Sequence, residues 1–231
     1  MKKIGIIGGI GPESTLDYYR GIIAAFRQRN KGMHYPDIIV YSADLTELLE
    51  IVEAKALDKL AEWLLTRIEA LRRAGAEFVA IASNTPHVVF DEVQRRSPLP
   101  LINIVEATCA KAESLGMRRL GLMGTRFTMQ ADFFQRPFRE RGMSVVVPSP
   151  EEQRFIHEKL FSEIELGIIR DETREALLAI VKNMIERDGI DSLILGCTEL
   201  PLILPGEAHG IPFLNTAAIH VEEIVRHCLG E

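Results

Sequence analysis

The sequence is poor in cysteine, has no long apolar run and carries no excess of basic residues. Its 231 residues include only three cysteines, an odd number that argues against a disulfide framework and favours a reducing cytoplasm. Glycines and Pro12 interrupt the N-terminal apolar run too early for a signal peptide, and no other stretch is long and apolar enough for a bilayer. A formal charge of −6 argues against a nucleic-acid partner. We therefore expect a folded cytoplasmic protein with neither a nucleic-acid nor a membrane partner.

What the sequence does have is a regular alternation of strand-like and helix-like segments. Buried-strand patterns that end in turn residues alternate with helical periodicity, in the order KKIGIIGG, STLDYYRGIIAAFRQRN, DIIVYSADL, LDKLAEWLLTRIEALRRAG, EFVAIAS, TPHVVFDEVQRR and PLINIV. This β, α, β, α order predicts an α/β fold with mainly parallel sheets covered by helices on both faces.

The pattern occurs twice along the chain. RRLGLMGT resembles KKIGIIGG, GIDSLILGCTELP resembles GAEFVAIASNTPH, and GIPFLNTAAI resembles PLPLINIVEA, in the same order and at nearly constant offset. Such self-similarity indicates a duplication. We expect two pseudo-symmetric three-layer α/β lobes related by an approximate two-fold axis. The first would span 1–105, with 211–231 packing back on it, and the second 106–210.

The duplication pairs Cys197, in LILGCTELPLIL, with Ser83. Each follows a predicted parallel strand, and ligands collect at the carboxyl ends of such strands, so the two residues are expected to face one cleft. In the first copy, Thr85 is predicted as a helix N-cap with Pro86 at the first helical position. The N-terminal field of a helix favours negative charge, and by symmetry we expect it to lower the pKa of Cys197 towards neutrality.

The segments IGIIGGIGPESTLDYYR, SNTPH, GLMGTRFT and LGCTELPLIL resemble the signatures of the aspartate/glutamate racemase family, and the similarity extends over most of the chain. The resemblance implies two α/β lobes, a homodimer, a small amino-acid substrate and no metal, nicotinamide or pyridoxal phosphate. It also implies two catalytic cysteines that exchange a proton on opposite faces of the substrate Cα. Cys197 matches the second of these, on the L-face.

Three positions depart from what the resemblance implies. Ser83 stands where the family usually has the partner cysteine, and a serine hydroxyl is too weakly acidic to act as a resting base. Ser83 could still donate a proton, directly or through water. Leu45 and Leu166 match an arginine and a lysine that hold the carboxylates of acidic substrates. Losing these cations predicts poor binding of aspartate and glutamate and a preference for a less acidic amino acid or another carboxylate.

Stabilising the carbanion requires hydrogen-bond donors placed around the substrate carboxylate. A turn at Gly9 and Gly11 would let backbone approach a ligand closely, and Glu199 could orient Cys197. The candidate donors are polar groups beside the predicted strand ends, namely Asn84, Thr85, Thr125, Thr128 and Thr198.

Several alternatives stay open at the sequence level. Nucleotide binding is weakly supported, because GGIGPES lacks the third glycine of the dinucleotide fingerprint. A decarboxylase or another one-cysteine enolising enzyme would suit the asymmetry between Ser83 and Cys197. A non-enzymatic protein that binds small carboxylates would need neither residue as an acid or base. Cys197 could also be a buried packing residue, and His87 a structural one.

Overall fold

The computed structural model describes residues 1–29 and 34–231, which form two compact units. The first comprises Met1–Ile104 together with Ala217–Glu231, and the second is Val105–Thr216. The predicted lobe boundaries differ from these units at Val105, which lies in the second unit, and at residues 211–216, which were expected to pack on the first lobe. Residues 211–216 lie in the second unit because Ile211–Asn215 forms a strand of that unit's sheet.

The first unit is built on a four-stranded parallel sheet. In chain order its elements are β1 (Ile4–Gly8), α1 (Pro12–Arg29), β2 (Ile38–Ser42), α2 (Leu45–Glu53), α3 (Leu57–Arg73), β3 (Phe78–Ile81), α4 (Phe90–Arg96), β4 (Leu101–Ile102) and the start of α5 (Ile104–Ser114). The strand order is β2-β1-β3-β4. Asn30, the last residue of the helix predicted as STLDYYRGIIAAFRQRN, lies outside the described residues.

The core of the first unit joins β1 and β3 to two helices that are distant in sequence. Ile4 and Ile6 of β1 are fully buried against the apolar stripe of α1, which includes Tyr18 and Ile22. The helix α10 (Thr216–Leu229) supplies Ala217, Val221, Ile224, Val225 and Cys228 to the same cluster. A parallel sheet needs helical cover on its faces, and the last helix of the chain provides part of that cover.

The second unit has a five-stranded sheet of order β6-β5-β7-β9-β8, in which only the pairing of β8 with β9 is antiparallel. Its elements are α5, β5 (Arg119–Met123), α6 (Arg126–Gln130), α7 (Asp132–Glu140), β6 (Ser144–Val146), α8 (Pro150–Ser162), α9 (Asp171–Asp188), β7 (Ser192–Leu195), β8 (Glu207–Ala208) and β9. The order β6-β5-β7-β9 repeats the order β2-β1-β3-β4. The predicted α/β class with mainly parallel sheets is confirmed.

The core of the second unit lies between the sheet and helices α8 and α9. Leu193 and Leu195 of β7 pack with Ile156 and Leu160 of α8 and with Leu177 of α9. Cys197 belongs to the same buried cluster.

Two local predictions were wrong in detail. The helix predicted at TPHVVFDEVQRR begins as a 3₁₀ turn, Thr85–Val89, and becomes α-helical only at Phe90. Thr85 is therefore inside this turn, and the preceding Asn84 makes no side-chain cap hydrogen bond. The strand predicted at PLINIV contains only Leu101–Ile102, because α5 starts at Ile104.

Among the described residues, no helix has the length and apolar character needed to span a membrane.

Candidate active site

In the first unit, the predicted site residues follow β1 and β3, which are paired parallel neighbours. Gly9 has a φ of +81°, and a Cβ at this position would overlap the backbone of Ala43. The Gly9 N–H donates to Thr15 Oγ1 over 2.8 Å, and Thr15 Oγ1 donates to the Gly11 carbonyl over 2.9 Å. A glycine is therefore required at position 9 because the backbone of Ala43, in the loop after β2, packs closely against it.

Ser83 and Asn84 follow β3 and are buried. His87, one turn later, binds the carbonyl of Ser83 through Nδ1 at 2.9 Å, and its Nε2 lies 3.4 Å from the amide nitrogen of Ile104. A carbonyl only accepts, so Nδ1 carries the hydrogen and Nε2 accepts from the Ile104 N–H. Both ring nitrogens bind backbone groups, so the imidazole holds the backbone of Ser83 and not its hydroxyl.

His87 is kept neutral by its surroundings. Burial lowers the pKa of His87 to about 3, and the nearby His220 adds to this effect. Burial likewise lowers the pKa of His220 to about 4. His220 Nε2 donates to the carbonyl of Ile102 over 3.0 Å, and its Nδ1 accepts from Tyr18 Oη over 2.8 Å. The neutral ring of His87, with both nitrogens engaged, has no free position from which to activate Ser83 as a base.

In the second unit, Cys197 lies just beyond the carboxyl end of β7, next to two carboxylates. The chain leaves the strand at Gly196, whose N–H donates to the carbonyl of Met123 at the end of β5 over 2.6 Å. The Cys197 thiol donates to Glu199 Oε2 over 3.2 Å, and Sγ lies 3.6 Å from Glu165 Oε1. The hydroxyl of Thr198 donates to the same Glu199 oxygen over 2.8 Å. Cys197, Thr198 and Glu199 are buried together, as is most of Glu165.

The electrostatics of this site are opposite to the prediction from the sequence. Burial, followed by the charges of Glu199 and Glu165, raises the pKa of the Cys197 thiol well above its ordinary value of 9.0. The segment after Cys197 is only a three-residue 3₁₀ turn, Leu200–Leu202, so there is no α-helix N-terminus to favour the thiolate. The predicted lowering of the Cys197 pKa was therefore wrong, and in the resting protein the thiol is protonated.

Glu165 also has a strongly shifted acidity. Burial, with the nearby charge of Glu199, raises the pKa of Glu165 to about 8. Burial and the charge of a second carboxylate disfavour ionisation of Glu165, so this carboxyl group holds a proton near neutral pH. Strongly perturbed groups of this kind cluster at functional sites.

Thr125 and Thr128, which follow β5, form a local helix cap. Thr125 Oγ1 accepts from the Thr128 N–H over 3.2 Å at the start of α6, and the two hydroxyl oxygens lie 3.0 Å apart. The strand end that carries them is the parallel neighbour of the strand end that carries Cys197, because β5 pairs with β7. A Cβ on Gly196 would lie 3.4 Å from Thr128 Cγ2. The structure thus brings Thr128 close to the Cys197 loop.

Glu165 was not among the predicted site residues, although the adjacent Leu166 was singled out. Leu166 is 67% exposed, whereas Glu165 turns back towards Cys197 from the 3₁₀ segment Ile164–Leu166. Leu45 is the first residue of α2, whose N-cap is Asp44. Leu45 and Leu166 are apolar, so neither residue can pair with a substrate carboxylate as a cationic side chain would.

The fold and the site define a duplicated α/β enzyme that places a thiol at a strand end. The model of the Asp/Glu/hydantoin racemase family matches residues 7–224. A broad specificity amino-acid racemase, RacX of Bacillus subtilis, is 23% identical over 222 residues, covering 93% of each chain. The chain therefore belongs to the Asp/Glu/hydantoin racemase family, as the sequence motifs predicted.

Solved structures agree with this assignment. The crystal structure of an aspartate racemase homologue from Pyrococcus horikoshii OT3 is 37% identical with a TM-score of 0.83, covering 99% of this chain and 100% of that one. A candidate Asp/Glu racemase from Yersinia pestis is 32% identical with a TM-score of 0.90, again covering 99% and 100%.

Proposed function

We propose that this amino-acid racemase uses Cys197 as its acid and base, with Ser83 in the place of the partner cysteine. The observation that carries the proposal is the environment of the thiol. Sγ lies 3.2 Å from a Glu199 oxygen that is held by Thr198, at the carboxyl end of a central parallel strand. A buried cysteine used only for packing needs no polar partner, and this one has two carboxylates within reach.

We propose a route for the proton of Cys197, which the contacts of the thiol support. In the resting state the S–H bond points at Glu199 Oε2. Passing this proton to the carboxylate leaves a thiolate, which removes the α-hydrogen of the substrate as a proton. The hydroxyl of Ser83 or a water protonates the resulting carbanion on the opposite face and completes the inversion. The alkoxide or hydroxide that remains takes a proton from solvent, and Glu199 releases its proton to solvent, which restores the resting enzyme. The reverse direction needs a base on the face of Ser83, which a neutral hydroxyl does not supply, so we expect turnover to be biased towards proton removal by Cys197.

The substrate we propose is an amino acid less acidic than aspartate or glutamate. The two positions at which the family supplies cations are Leu45 and Leu166, and a hydrogen bond to a charged group contributes about 1.5–3 kcal/mol. Removing the second carboxylate of an acidic substrate from water costs free energy, and without such hydrogen bonds less of that cost is offset. The description of RacX as a racemase of broad specificity is consistent with a site that does not demand an acidic side chain.

A second candidate is one-sided acid/base chemistry, such as decarboxylation with protonation by Cys197. It is favoured by the asymmetry of the two positions. The thiol has a carboxylate acceptor, whereas the imidazole nearest to Ser83 is neutral and engaged with backbone. A serine in this setting suits proton delivery and not proton removal. A protein that only binds a small carboxylate is the third possibility.

One experiment separates these functions. The purified enzyme is incubated in D₂O containing EDTA with one amino acid at a time, and the two enantiomers of each amino acid are tested separately. The panel includes alanine, serine, methionine, lysine, aspartate and glutamate. Deuterium at Cα is measured by mass spectrometry, and inversion by chiral chromatography. Exchange with inversion supports the racemase, exchange without inversion supports one-sided chemistry, and binding without exchange contradicts both. Aspartate or glutamate as the best substrate would contradict the proposed substrate preference.

Variants test the two named residues. Cys197→Ser is expected to abolish exchange, whereas the matched control Cys109→Ser, at another buried free cysteine, retains it. Ser83→Cys is expected to raise the rate of inversion relative to the rate of exchange. Exchange that survives in Cys197→Ser would refute the assignment of the thiol.

We also propose that the enzyme works in the cytoplasm as a homodimer with a small-molecule amino-acid substrate. Size-exclusion chromatography with light scattering tests the dimer, and a monomer at micromolar concentration would contradict it.

A further inference from the structure

The side chains of Glu165, Cys197 and Glu199 form a cluster that offers more than a route for a proton. One ligand atom from each residue lies within 4.8 Å of the other two. We propose that this cluster, the thiol–carboxylate cluster, binds a single Zn²⁺ ion, and that the bound ion reversibly inhibits the enzyme. The site goes beyond the proposed function, since the ion would occupy the lone pair that Cys197 needs for proton transfer.

The distances in the cluster fit the edges of a tetrahedron around zinc. With a Zn–S bond of about 2.3 Å, a Zn–O bond of about 2.0 Å and tetrahedral angles, sulfur and oxygen ligands lie about 3.5 Å apart. The observed distances from Cys197 Sγ are 3.2 Å to Glu199 Oε2 and 3.6 Å to Glu165 Oε1. These two sulfur–oxygen distances agree with the tetrahedral edge within about 0.3 Å. The third pair, the two carboxylate oxygens, lies within 4.8 Å.

Two oxygen atoms of the cluster are buried without a hydrogen-bond partner. They are Glu165 Oε2 and Glu199 Oε1, and the whole of Glu199 is only 1% exposed. Within residues 1–29 and 34–231, no lysine or arginine forms an ion pair with either carboxylate. Leaving a buried acceptor unsatisfied costs free energy, and more so if it is charged. When the thiol and both carboxyl groups are deprotonated, a cation bound in the cluster would remove this cost, so the two buried oxygens are an independent indication of a ligand.

The donor set selects the kind of cation. Sulfur is a soft ligand that favours zinc over the hard ions magnesium and calcium, which take oxygen ligands. Three protein ligands also leave a fourth tetrahedral position for water, as in open zinc sites. Glu165 is partly exposed and is followed by the exposed Leu166, so this side of the cluster lies near the protein surface. Binding displaces the thiol proton and any proton held by the carboxyl groups into solvent.

Cadmium provides a direct test, because a Cd²⁺–thiolate bond absorbs in the ultraviolet. Titration of the metal-free enzyme with CdCl₂ is expected to produce this band at one ion per chain, and ZnCl₂ is expected to displace it. Cys197→Ser should lose the band. Glu165→Gln should weaken Cd²⁺ binding at least tenfold, whereas Glu207→Gln, at an exposed glutamate, should not change it. Cys109→Ser and Cys228→Ser should bind as the wild type does.

A band that persists in Cys197→Ser, or equal Cd²⁺ affinities of Glu165→Gln and wild type, would overturn the proposal. These measurements contain no substrate, so their failure is distinguishable from a failure of the racemase assay, which is run in EDTA. If the racemase assay succeeds, ZnCl₂ should inhibit exchange and excess EDTA should restore it. Inhibition by zinc that is unchanged in Glu165→Gln would refute the link between the site and inhibition.

Discussion

The substitution His87→Gln is expected to change how the stability of the protein depends on pH. His87 is 3% exposed, donates to the carbonyl of Ser83 and accepts from the amide of Ile104. Glutamine offers an amide donor and an oxygen acceptor to the same two backbone groups, so the variant is expected to fold. The substitution removes the imidazole of His87, whose pKa differs between the folded and the unfolded chain.

The sign and the magnitude follow from linkage. Burial lowers the pKa of His87 from 6.5 to about 3, so in the folded protein the ring stays neutral at pH 5, whereas in the unfolded chain it is protonated. The stability that His87 contributes is fully present above pH 6.5 and is lost as the pH falls towards 3. At pH 5.0, about 1.5 units below the unfolded pKa, the loss is about 2 kcal/mol at about 1.4 kcal/mol per unit.

The assay is urea denaturation of wild type and His87→Gln at pH 7.5 and at pH 5.0. Every other titrating group is present in both proteins, so its contribution largely cancels from the difference in unfolding free energy. The variant is expected to be less stable at pH 7.5, and this deficit should shrink by about 2 kcal/mol at pH 5.0. His209→Gln, which removes an exposed imidazole, is the matched control. A deficit that stays constant within about 0.5 kcal/mol between the two pH values would refute the reasoning.

Three further substitutions test the fold by urea denaturation. Gly9→Ala should lower the unfolding free energy by about 1–3 kcal/mol, because it forces a Cβ against Ala43 at a positive φ; no loss would show that the turn relaxes freely. Ser149→Ala should cost about 0.5–2 kcal/mol by removing the capping box of α8, and an unchanged midpoint would contradict that role. Phe134→Ala should cost about 3–5 kcal/mol because the ring is fully buried, and a cost below about 1 kcal/mol would mean that the core refills the space.

The parts of the structure that were predictable from the sequence are those encoded by local pattern. Buried parallel strands appear as continuous apolar runs, so β1, β3, β5 and β7 and the duplication were visible in the chain. The position of Cys197 at a strand end was equally local, because Gly196 closes the run that precedes it.

The chemical environment of Cys197 is formed partly by a residue distant in sequence, and the predicted pKa of the thiol was therefore wrong. Glu165 reaches the thiol across 32 residues of sequence from a 3₁₀ turn, and no periodic pattern announces that contact. The helix field expected at Cys197 was inferred by symmetry from a helix start predicted at Thr85, which itself lies in a 3₁₀ turn. Burial and two carboxylates then determine the pKa of the thiol. Such effects depend on which side chains converge, which is settled by tertiary packing.

The last helix has a consequence for synthesis on the ribosome. Residues Val105–Thr216 form a unit of their own, inserted between the two stretches of chain that make the other unit. A ribosome that has made the first hundred residues has not yet made α10, which buries Val221, Ile224 and Val225 against β1 and α1. The portion of the polypeptide that emerges first is therefore completed last, and until then it exposes an apolar surface that a chaperone would recognise.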